Sequence, residues 1–483
     1  MPKDNIATQD HLYVQVAEGL EKMISEDVLK IGDKLPSVRV LSDEYGISMG
    51  TAFQAYYHLE GKGLIESRPK SGYYVRFNQH RFRELPKMIQ PDVLSHDISV
   101  KEMIASIYSD IVSDNKKVIN FALAVPDVSL LPVAKLNKSV MHVIRNNKDH
   151  CISYEHTQGN MELRKQIAKL AFNWGGKVQP EEIVVTSGCL EAMTLCLRAV
   201  TQPGDTVAVE SPNYFGVYQA MESMGLKVVE ISSSPVTGLD LDCLQQVIKK
   251  FTIKACVVVP NFNNPLGGCM PDENKKELVA LITKHNIPLI EDDIYGELYF
   301  GKKRPRTCKY YDTKGLVMHC SSLSKSLAPG YRIGWTIPGK FIEQVKQIKR
   351  INNISSPTLT QATMAHYLQH GRYEYHLKNI RKSLYTQCLR YQQGIIDHFP
   401  EDTKVSRPAG GFVLWVQLNK KVNTFKLRIE AMKHNISIVP GKIFSASCNY
   451  SNCIRISFGK PWDKDADYGL LMLGKIIKKM SDS

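Results

Sequence analysis

The chain has 483 residues, of which 43% are hydrophobic and 23% charged, with 31 Gly and 23 Pro. That length predicts about two to four domains, and the composition excludes collagenous, low-complexity and wholly disordered chains. No apolar run approaches the roughly 18 residues that a membrane-spanning helix needs. The eleven Cys are scattered and form no CxxC pair, which is not the pattern of a disulfide framework. We therefore expect a cytoplasmic protein that does not bind membranes.

The net charge of +14 is unevenly distributed along the chain. Residues 1–80 contain nine Lys or Arg and eleven Asp or Glu, so the positive excess belongs to the remainder. A nucleic-acid-binding segment at the start of the chain would therefore act through a few placed cations rather than through bulk charge. A basic protein that binds no nucleic acid fits the charge alone equally well.

The start of the chain contains the signals of three helices. Apolar residues spaced three to four apart predict an amphipathic helix over residues 12–24. Ser37 and Ser48 are typical helix N-caps and predict two further helices. The first of these would end at Tyr45 and the second near Lys62. Two short helices joined by a Gly-containing turn have the anatomy of a helix-turn-helix.

A β-hairpin is predicted directly after these helices. Residues 64–67 and 73–75 have strand-like composition and are separated by a Pro-Lys-Ser-Gly turn. In this order, the helices, turn and hairpin resemble the winged helix-turn-helix of GntR-type transcription regulators. The resemblance covers most of residues 11–77 and implies binding of double-stranded operator DNA. The alternative is a small helical interaction domain without DNA binding.

The resemblance also implies which residues meet the DNA. In that family the Arg of a Leu-Pro-x-x-Arg motif, the start of the recognition helix and the wing glycine lie at the DNA. The implied DNA-binding residues here are Arg39, Ser48, Thr51, Arg68, Lys70 and Gly72. Arg68 and Lys70 would contact phosphates. Many members have Arg after the recognition-helix cap, whereas this chain has Met49, so specificity is expected to rest more on Ser48, Thr51, DNA shape and the wing.

From residue 119 onward, strand and helix patterns alternate. Strands are predicted at residues 183–186, 206–209, 255–259, 288–291 and 317–321, with helical segments between them. Alternation over roughly 200 residues predicts a mainly parallel α/β sheet. Ligand sites in such sheets lie beyond the carboxyl ends of the strands.

Polar residues with distinct chemical uses follow these strands. Asn264 lies shortly after one predicted strand, and Asp292 and Tyr295 lie after the next. Lys325 follows a third strand, and Arg332 lies seven residues after Lys325. Each residue alone is more often structural than functional. Their shared order and spacing resemble the fold-type I aminotransferases, which use pyridoxal 5′-phosphate.

In that family these residues hold the cofactor. The resemblance implies that Lys325 forms a Schiff base, the internal aldimine, with the cofactor aldehyde. Asp292 would keep the pyridine nitrogen protonated, and Asn264 and Tyr295 would hydrogen-bond the ring oxygen. The implied phosphate ligands are Arg332, Ser322, Ser324 and the backbone N–H groups of Gly188 and Cys189 at a helix start.

Three further positions extend the resemblance. Tyr214 corresponds to the aromatic residue that stacks on the cofactor ring, and Tyr154 to a tyrosine that reaches the partner subunit's cofactor phosphate. Arg455 corresponds to the arginine that grips a substrate carboxylate bidentately. Two positions depart from the family pattern: Leu190, where a polar residue is frequent, and Ala124, where many catalysts have Gly.

The predicted domains are a winged helix-turn-helix at residues 11–77, a linker at 78–118 and an aminotransferase-like domain at 119–483. The last would contain a smaller α+β subdomain of about residues 119–150 and 396–483. This architecture resembles the MocR subgroup of GntR regulators. The resemblance implies a bacterial transcription regulator whose cofactor domain forms a homodimer, typically head-to-tail, and which senses pyridoxal phosphate, an amino acid or an amine.

Two functions from different classes stay open at this point. In the first, the protein is a regulator whose signal is the cofactor or an amino acid or amine bound to it. In the second, it is an aminotransferase whose turnover matters and whose DNA-binding head is secondary or vestigial. The complete helix-turn-helix and wing favour the regulator, whereas the complete set of cofactor residues permits transamination.

Overall fold

The computed structural model describes residues 6–26, 28–62, 64–68, 71–76, 84–91, 94–95 and 118–482. The chain divides into two compact units. An N-terminal unit comprises Met1–Arg83 and Leu389–Asp397, and a C-terminal unit comprises Glu84–Cys388 and His398–Ser483. None of the described helices is long and apolar enough to cross a membrane. Most of the predicted linker lies outside the described residues.

The first segment of the N-terminal unit contains three described helices and a two-stranded antiparallel sheet. These elements are α1 (Ile6–Ser25), α2 (Val38–Tyr45), α3 (Met49–Gly61), β1 (Ile65–Arg68) and β2 (Gly72–Val75). The two predicted N-caps are confirmed: Ser37 Oγ accepts a hydrogen bond from Val40 N at 3.2 Å, and Ser48 Oγ accepts one from Thr51 N at 3.1 Å. Gly46 ends α2 at a φ of 62°, a left-handed conformation that glycine adopts without strain.

Apolar side chains from all of these elements form one core. Leu20 of α1, Leu59 of α3 and Val75 of β2 are almost completely buried in it. Tyr56 of α3 is also fully buried, and its hydroxyl donates a hydrogen bond to Pro36 O at 2.7 Å. This packing holds α3 with one side in the core and leaves the opposite side exposed.

The C-terminal unit is built on an eight-stranded sheet. Its strands are β4 (Val184–Thr186), β5 (Thr206–Ser211), β6 (Lys227–Ser234), β7 (Gly238–Leu239), β8 (Ile253–Val258), β9 (Leu289–Asp292), β10 (Val317–Ser322) and β11 (Gly334–Ile337). Their spatial order is β4-β11-β10-β9-β8-β5-β6-β7. Strands β10, β9, β8, β5 and β6 are mutually parallel, whereas β11 and β7 run antiparallel to their neighbours. The predicted mainly parallel sheet is confirmed.

Both faces of this sheet are buried. Val207 and Val209 of β5 belong to one hydrophobic cluster, and Ala208 between them belongs to another. Since successive side chains of a strand point to opposite faces, the two clusters are cores on the two sides of the sheet. The described helices that precede the smaller sheet in the chain are α4 (Val133–Asn146), α5 (Met161–Ala171), α6 (Cys189–Val200), α7 (Phe215–Ser223), α8 (Leu241–Lys250), α9 (Asp272–Lys284), α10 (Ile342–Asn353), α11 (Thr358–His370) and α12 (Tyr373–His398). Residues Leu389–Asp397 of α12 belong to the N-terminal unit.

A smaller antiparallel sheet follows in the chain. Its strands are β12 (Lys404–Val405), β13 (Val413–Gln417), β15 (Val439–Pro440) and β16 (Cys453–Ser457), in the order β12-β13-β16-β15. A separate parallel pair joins β3 (Ile119–Asn120) to β14 (Ile436–Ser437). Helices α13 (Thr424–Lys433) and α14 (Lys464–Asp482) pack on these strands. The pairing of β3 with β14 brings Ile119 and Asn120 against the C-terminal part of this unit.

Candidate functional site

Most of the predicted cofactor residues converge on one cavity of the C-terminal unit. The cavity has a volume of about 380 Å³, a size suited to a small-molecule ligand. It lies beyond the carboxyl ends of β9 and β10, the position expected for a ligand in a parallel sheet. The site residues predicted from the sequence that line this cavity are Lys325, Asp292, Tyr295, Asn264, Tyr214, Ser324, Arg332, Cys189 and Arg455.

Lys325 supplies the amine of this cavity. Its Nζ donates a hydrogen bond to Ala124 O at 2.5 Å and lies 5.9 Å from the centre of the Tyr295 ring. Burial lowers the pKa of Lys325 to about 8, and the positive charge of Arg455 acts in the same direction. Because the neutral amine is the nucleophile, a lowered pKa makes Lys325 reactive toward an aldehyde near neutral pH.

Asp292, at the end of β9, is the buried acid of the cavity. Its Oδ1 accepts hydrogen bonds from Ile294 N at 3.0 Å and from the thiol of Cys189 at 3.3 Å. Burial raises the pKa of Asp292 to about 6, so the carboxylate is ionised at pH 7 and can pair with a protonated ring nitrogen. From the sequence, only the backbone N–H of Cys189 is expected to take part in binding, so this thiol contact is an addition that only the structure shows.

Arg332 and the start of α6 form a cradle for an anion. The Arg332 Nη2 donates to Ser187 O at 3.0 Å, and its Nη1 donates to Ser324 Oγ at 3.3 Å. Gly188 precedes the first residue of α6 at a φ of 99°. A Cβ added there would lie 2.3 Å from the Arg332 Nη2, so the guanidinium occupies space that only glycine leaves open. A guanidinium beside a helix N-terminus suits a phosphate group.

Arg455 of β16 reaches the cavity from the smaller sheet. Its side chain is buried, and its Nη1 donates to Asn264 Oδ1 at 3.1 Å. The Nη2 donates to Ala122 O, and the guanidinium lies 5.4 Å from the centre of the Phe444 ring. A planar guanidinium in this position can bind a carboxylate with two parallel hydrogen bonds.

Tyr214 and Tyr295 contribute aromatic rings to the cavity wall. Tyr214 fits there because Gly216 has no side chain: a Cβ at Gly216 would lie 2.5 Å from a carbon of the Tyr214 ring. Burial raises the pKa of Tyr295 above its usual value, so its hydroxyl stays protonated at neutral pH. The amine, the buried acid, the anion cradle and the aromatic wall together fit pyridoxal phosphate.

Three predicted cofactor residues are not part of the cavity lining. Gly188 is one of them, and it acts by leaving room for the guanidinium of Arg332. Ser322 is buried, and its hydroxyl donates to Ile333 O at 2.7 Å and lies 2.8 Å from Ser324 Oγ. It therefore supports Ser324 rather than facing the cavity. Tyr154 is 82% exposed and lies outside the lining of the cavity in its own chain.

The predicted DNA-binding residues of the N-terminal unit differ in exposure. Arg39, Ser48 and Gly72 are exposed. Thr51 is only 7% exposed, and its hydroxyl lies 2.8 Å from Ser48 Oγ. The two hydroxyls therefore bond to each other at the start of α3.

The β1–β2 hairpin is the predicted wing, and its Arg68 is paired within the hairpin itself. The Nη2 of Arg68 lies 2.6 Å from Glu66 Oε1, and its guanidinium lies 4.2 Å from the centre of the Tyr74 ring. The positive charge of Arg68 is therefore balanced by the carboxylate of Glu66. Lys70 lies outside the described residues.

The exposed side of α3 was not anticipated from the sequence. Met49, Phe53, Gln54 and Tyr57 are all exposed there. On this helix, the DNA contacts predicted from the sequence lie only at its start, at Ser48 and Thr51. The spacing of four residues between Met49, Phe53 and Tyr57 is the signal that would have shown one helix face.

Comparison with known proteins identifies both parts of the chain. Residues 116–469 match the family model of class I and II aminotransferases, and residues 12–75 match that of bacterial regulatory proteins of the gntR family. The chain is 35% identical to the uncharacterized HTH-type transcriptional regulator YdcR of Escherichia coli over 97% of this chain and 99% of that one. The chain belongs to the MocR-type GntR regulators. Both the family and the fold predicted from the sequence are thereby confirmed.

Solved structures resemble the aminotransferase domain of this MocR-type protein. LysN, the alpha-aminoadipate aminotransferase of Thermus thermophilus complexed with N-(5′-phosphopyridoxyl)-L-leucine, is 26% identical with a TM-score of 0.71. The match covers 79% of this chain and 99% of LysN. An archaeal alanine:glyoxylate aminotransferase is 27% identical with a TM-score of 0.74, covering 79% of this chain and 96% of that one. The cofactor of this MocR-type protein is pyridoxal 5′-phosphate, as predicted.

Proposed function

We propose that this MocR-type protein is a DNA-binding transcription regulator that responds to pyridoxal phosphate, or to an amino acid or amine that binds with it. One observation carries the proposal. A chain with a winged helix-turn-helix and a cavity containing Lys325, Asp292 and Arg455 is similar, over 97% of its length, to a protein named an HTH-type transcriptional regulator.

The residues of the cavity have separate tasks in this proposal. Lys325 supplies the neutral amine that holds the cofactor covalently. Asp292 keeps a proton on the ring nitrogen, and Arg332 with the start of α6 binds the phosphate. The bound cofactor supplies an electrophilic carbon and an electron sink. Arg455 binds and orients the carboxylate of the effector.

An effector in this cavity can control DNA binding only if its affinities for the DNA-competent state and the other state of the protein differ. An effector that binds the DNA-competent state more tightly raises its population, and DNA raises the affinity for the effector by the same factor. Coupling of this kind typically changes affinity by about 5- to 150-fold. We expect a change in DNA affinity within that range.

The experiment is a titration of the DNA immediately upstream of the protein's own coding region. The titration is done at one fixed salt concentration, because phosphate contacts make the affinity depend strongly on salt. It compares the protein without cofactor, with pyridoxal phosphate, and with pyridoxal phosphate plus single amino acids. Specific binding that changes between these states supports the proposal. Equal specific affinity in all states contradicts the sensing role.

We also propose a head-to-tail homodimer in which Tyr154 serves the partner's cavity. Its support is the 82% exposure of Tyr154 and the 89% exposure of Ile152 two residues before it. A side chain that acts in another subunit must be exposed in its own chain, and Tyr154 meets this requirement. Because Tyr154 is outside its own cavity, a role in cofactor binding requires a second subunit.

Mixed dimers test this arrangement. Lys325→Ala removes the amine of its own cavity, and Tyr154→Phe removes the hydroxyl proposed to act in the partner. Mixing the two variants should restore one complete site per heterodimer and tight cofactor binding at half of the sites. Cofactor binding that is simply the average of the two homodimers would contradict the shared site.

Aminotransferase activity is the second candidate function. The specific observation in its favour is that Lys325 and Arg455 line the same cavity, which a substrate amine and its carboxylate would both require. A turnover assay with pairs of amino acids and 2-oxo acids separates the two functions. Rapid completion of both half-reactions favours the enzyme, whereas a bound amino acid without turnover favours the regulator.

A further inference from the structure

The exposed side of α3 carries an apolar stripe, which we define as Met49, Phe53 and Tyr57. These side chains are 53, 52 and 69% exposed. Residues four apart lie on the same side of a helix, so the three form a continuous row. The sequence of α3 contains no Lys or Arg. The surface that α3 presents is therefore apolar and aromatic rather than cationic.

The orientation of this stripe is set by the core on the opposite side of the helix. Ala52, Ala55, Tyr56 and Leu59 are all fully buried. Turning α3 so as to bury the stripe would expose these four residues to water, and burying apolar surface is the main stabilising contribution to such a core. The stripe is thus held outward by the fold.

The N-terminal unit belongs to a helix-turn-helix family, in which the second helix of the motif enters the major groove of DNA. That helix is α3. The thymine C5-methyl is the apolar group on the base edges of the major groove, and apolar side chains contact it. Gln54, which is exposed beside Phe53, carries the amide that can pair with adenine N6 and N7. Both groups therefore suit A·T pairs. Arg39, exposed on α2, suits the adjacent phosphates.

We propose that the apolar stripe of α3 reads thymine methyl groups in the major groove, with Phe53 at its centre. The proposal rests on the proposed DNA-binding function and adds which chemical group is recognised. Sequence specificity would then come from methyl contacts and Gln54, and the charged contacts would lie outside α3.

The experiment uses the full-length protein with its cofactor and duplexes that it selects from a random-sequence pool. Each thymine of a selected site is replaced in turn by uracil, which removes only the methyl group. We expect the affinity of the wild type to fall about fourfold at each contacted position, the change expected for one buried methyl. The slope of affinity against salt should not change, because no phosphate contact is lost.

Two variants link the methyl effect to the stripe. Phe53→Ala should weaken binding to the thymine duplex and become insensitive to uracil at the position that Phe53 contacts. Phe53→Leu keeps an apolar side chain and should retain part of the thymine preference. Retained preference in this variant would show that a substitution at position 53 leaves the domain folded. Val28→Ala, at a side chain 61% exposed outside α3, should behave like the wild type.

The outcomes separate this inference from the function on which it rests. If the wild type binds selected duplexes tightly but equally well with thymine or uracil, the methyl-reading inference is wrong and DNA binding stands. If uracil sensitivity persists in Phe53→Ala, another residue reads the methyl groups and the assignment to Phe53 is wrong. If no sequence is enriched from the pool, both the inference and the proposed DNA-binding function are contradicted.

Discussion

At the scale of single residues, Lys325 and Asp292 show how one cavity shifts two pKa values in opposite directions. Burial disfavours the charged form of each group. It therefore lowers the pKa of Lys325 to about 8 and raises the pKa of Asp292 to about 6. Near pH 7 the acid is mostly ionised and about one tenth of the lysine is neutral. The cavity thus combines a usable nucleophile with a negative partner for the cofactor ring.

The first prediction follows from the pKa of Lys325. The rate at which the protein without cofactor attaches pyridoxal phosphate should rise about tenfold between pH 6 and 7 and level off above about pH 8. The rate increases with pH because deprotonation of Lys325 creates the reactive neutral amine. Following the visible absorbance after rapid mixing measures the rate. A rate independent of pH over this range would contradict the assignment.

The second prediction tests the role of Lys325 directly. Lys325→Ala should abolish the visible absorbance of covalently held cofactor, because no other described lysine lines the cavity. Lys325→Arg should also lose it, since a guanidinium keeps the charge but is not a nucleophile at neutral pH. Lys349→Gln changes another buried lysine, outside the lining, and should retain the band. An unchanged band in Lys325→Ala would refute the site.

At the scale of elements, the start of α6 shows how a helix terminus becomes an anion site. Gly188 adopts a left-handed φ and leaves room for the guanidinium of Arg332. The element therefore contributes both the N-terminal backbone groups and the space for a side chain from a distant loop. A Cβ at this position would fill the space that the guanidinium occupies.

The third prediction substitutes this glycine. Gly188→Ala should weaken cofactor binding by about tenfold or more, roughly 1.4 kcal/mol, because the Cβ displaces Arg332. Gly204→Ala is the matched control, since Gly204 has a similar φ of 90° but nothing within 4 Å of an added Cβ. Both variants should lose some stability to backbone strain. Equal cofactor affinity in the two variants, measured by equilibrium titration, would contradict the cradle.

The fourth prediction concerns the start of α3. Ser48→Ala removes the hydroxyl that accepts the Thr51 N–H and should lower the free energy of unfolding of the N-terminal unit by about 1 kcal/mol. Ser48→Asp should recover most of this loss, because Asp also caps helices well. Chemical denaturation monitored by circular dichroism measures both. No difference between Ala and the wild type would mean that the cap contributes nothing to stability.

At the scale of the whole molecule, the two units carry the two proposed activities separately. The described residues that line the cofactor cavity all belong to the C-terminal unit, and the helix-turn-helix belongs to the N-terminal unit. Each unit has its own hydrophobic clusters. Cofactor binding should therefore not need the DNA-binding head.

The fifth prediction removes that head. A chain that begins at Glu84 should still bind pyridoxal phosphate with the absorbance of the full-length protein, should still form a dimer, and should lose specific DNA binding. Absorbance, light scattering and a DNA titration at fixed salt measure the three properties. A truncated protein that is monomeric would contradict the proposed location of the dimer contact in the C-terminal unit.

The sequence by itself determined the features that depend on near neighbours in the chain. The caps at Ser37 and Ser48 involve groups three residues away, and the strands that lead to Asp292 and Lys325 follow from local composition. Parallel strands then bring their carboxyl ends to one edge whatever the details of the side-chain packing. For this reason the family, the cofactor and most of the residues in the cavity could be predicted.

Only the tertiary structure decided which side chains meet across long stretches of chain. Cys189 contacts Asp292 from 103 residues away, and Arg455 contacts Asn264 from 191 residues away. The burial of Thr51 depends on how α3 rotates against its neighbours, since one face of a helix is hidden only when another element covers it. Such contacts depend on the relative placement of whole elements, which spacing along the chain does not encode.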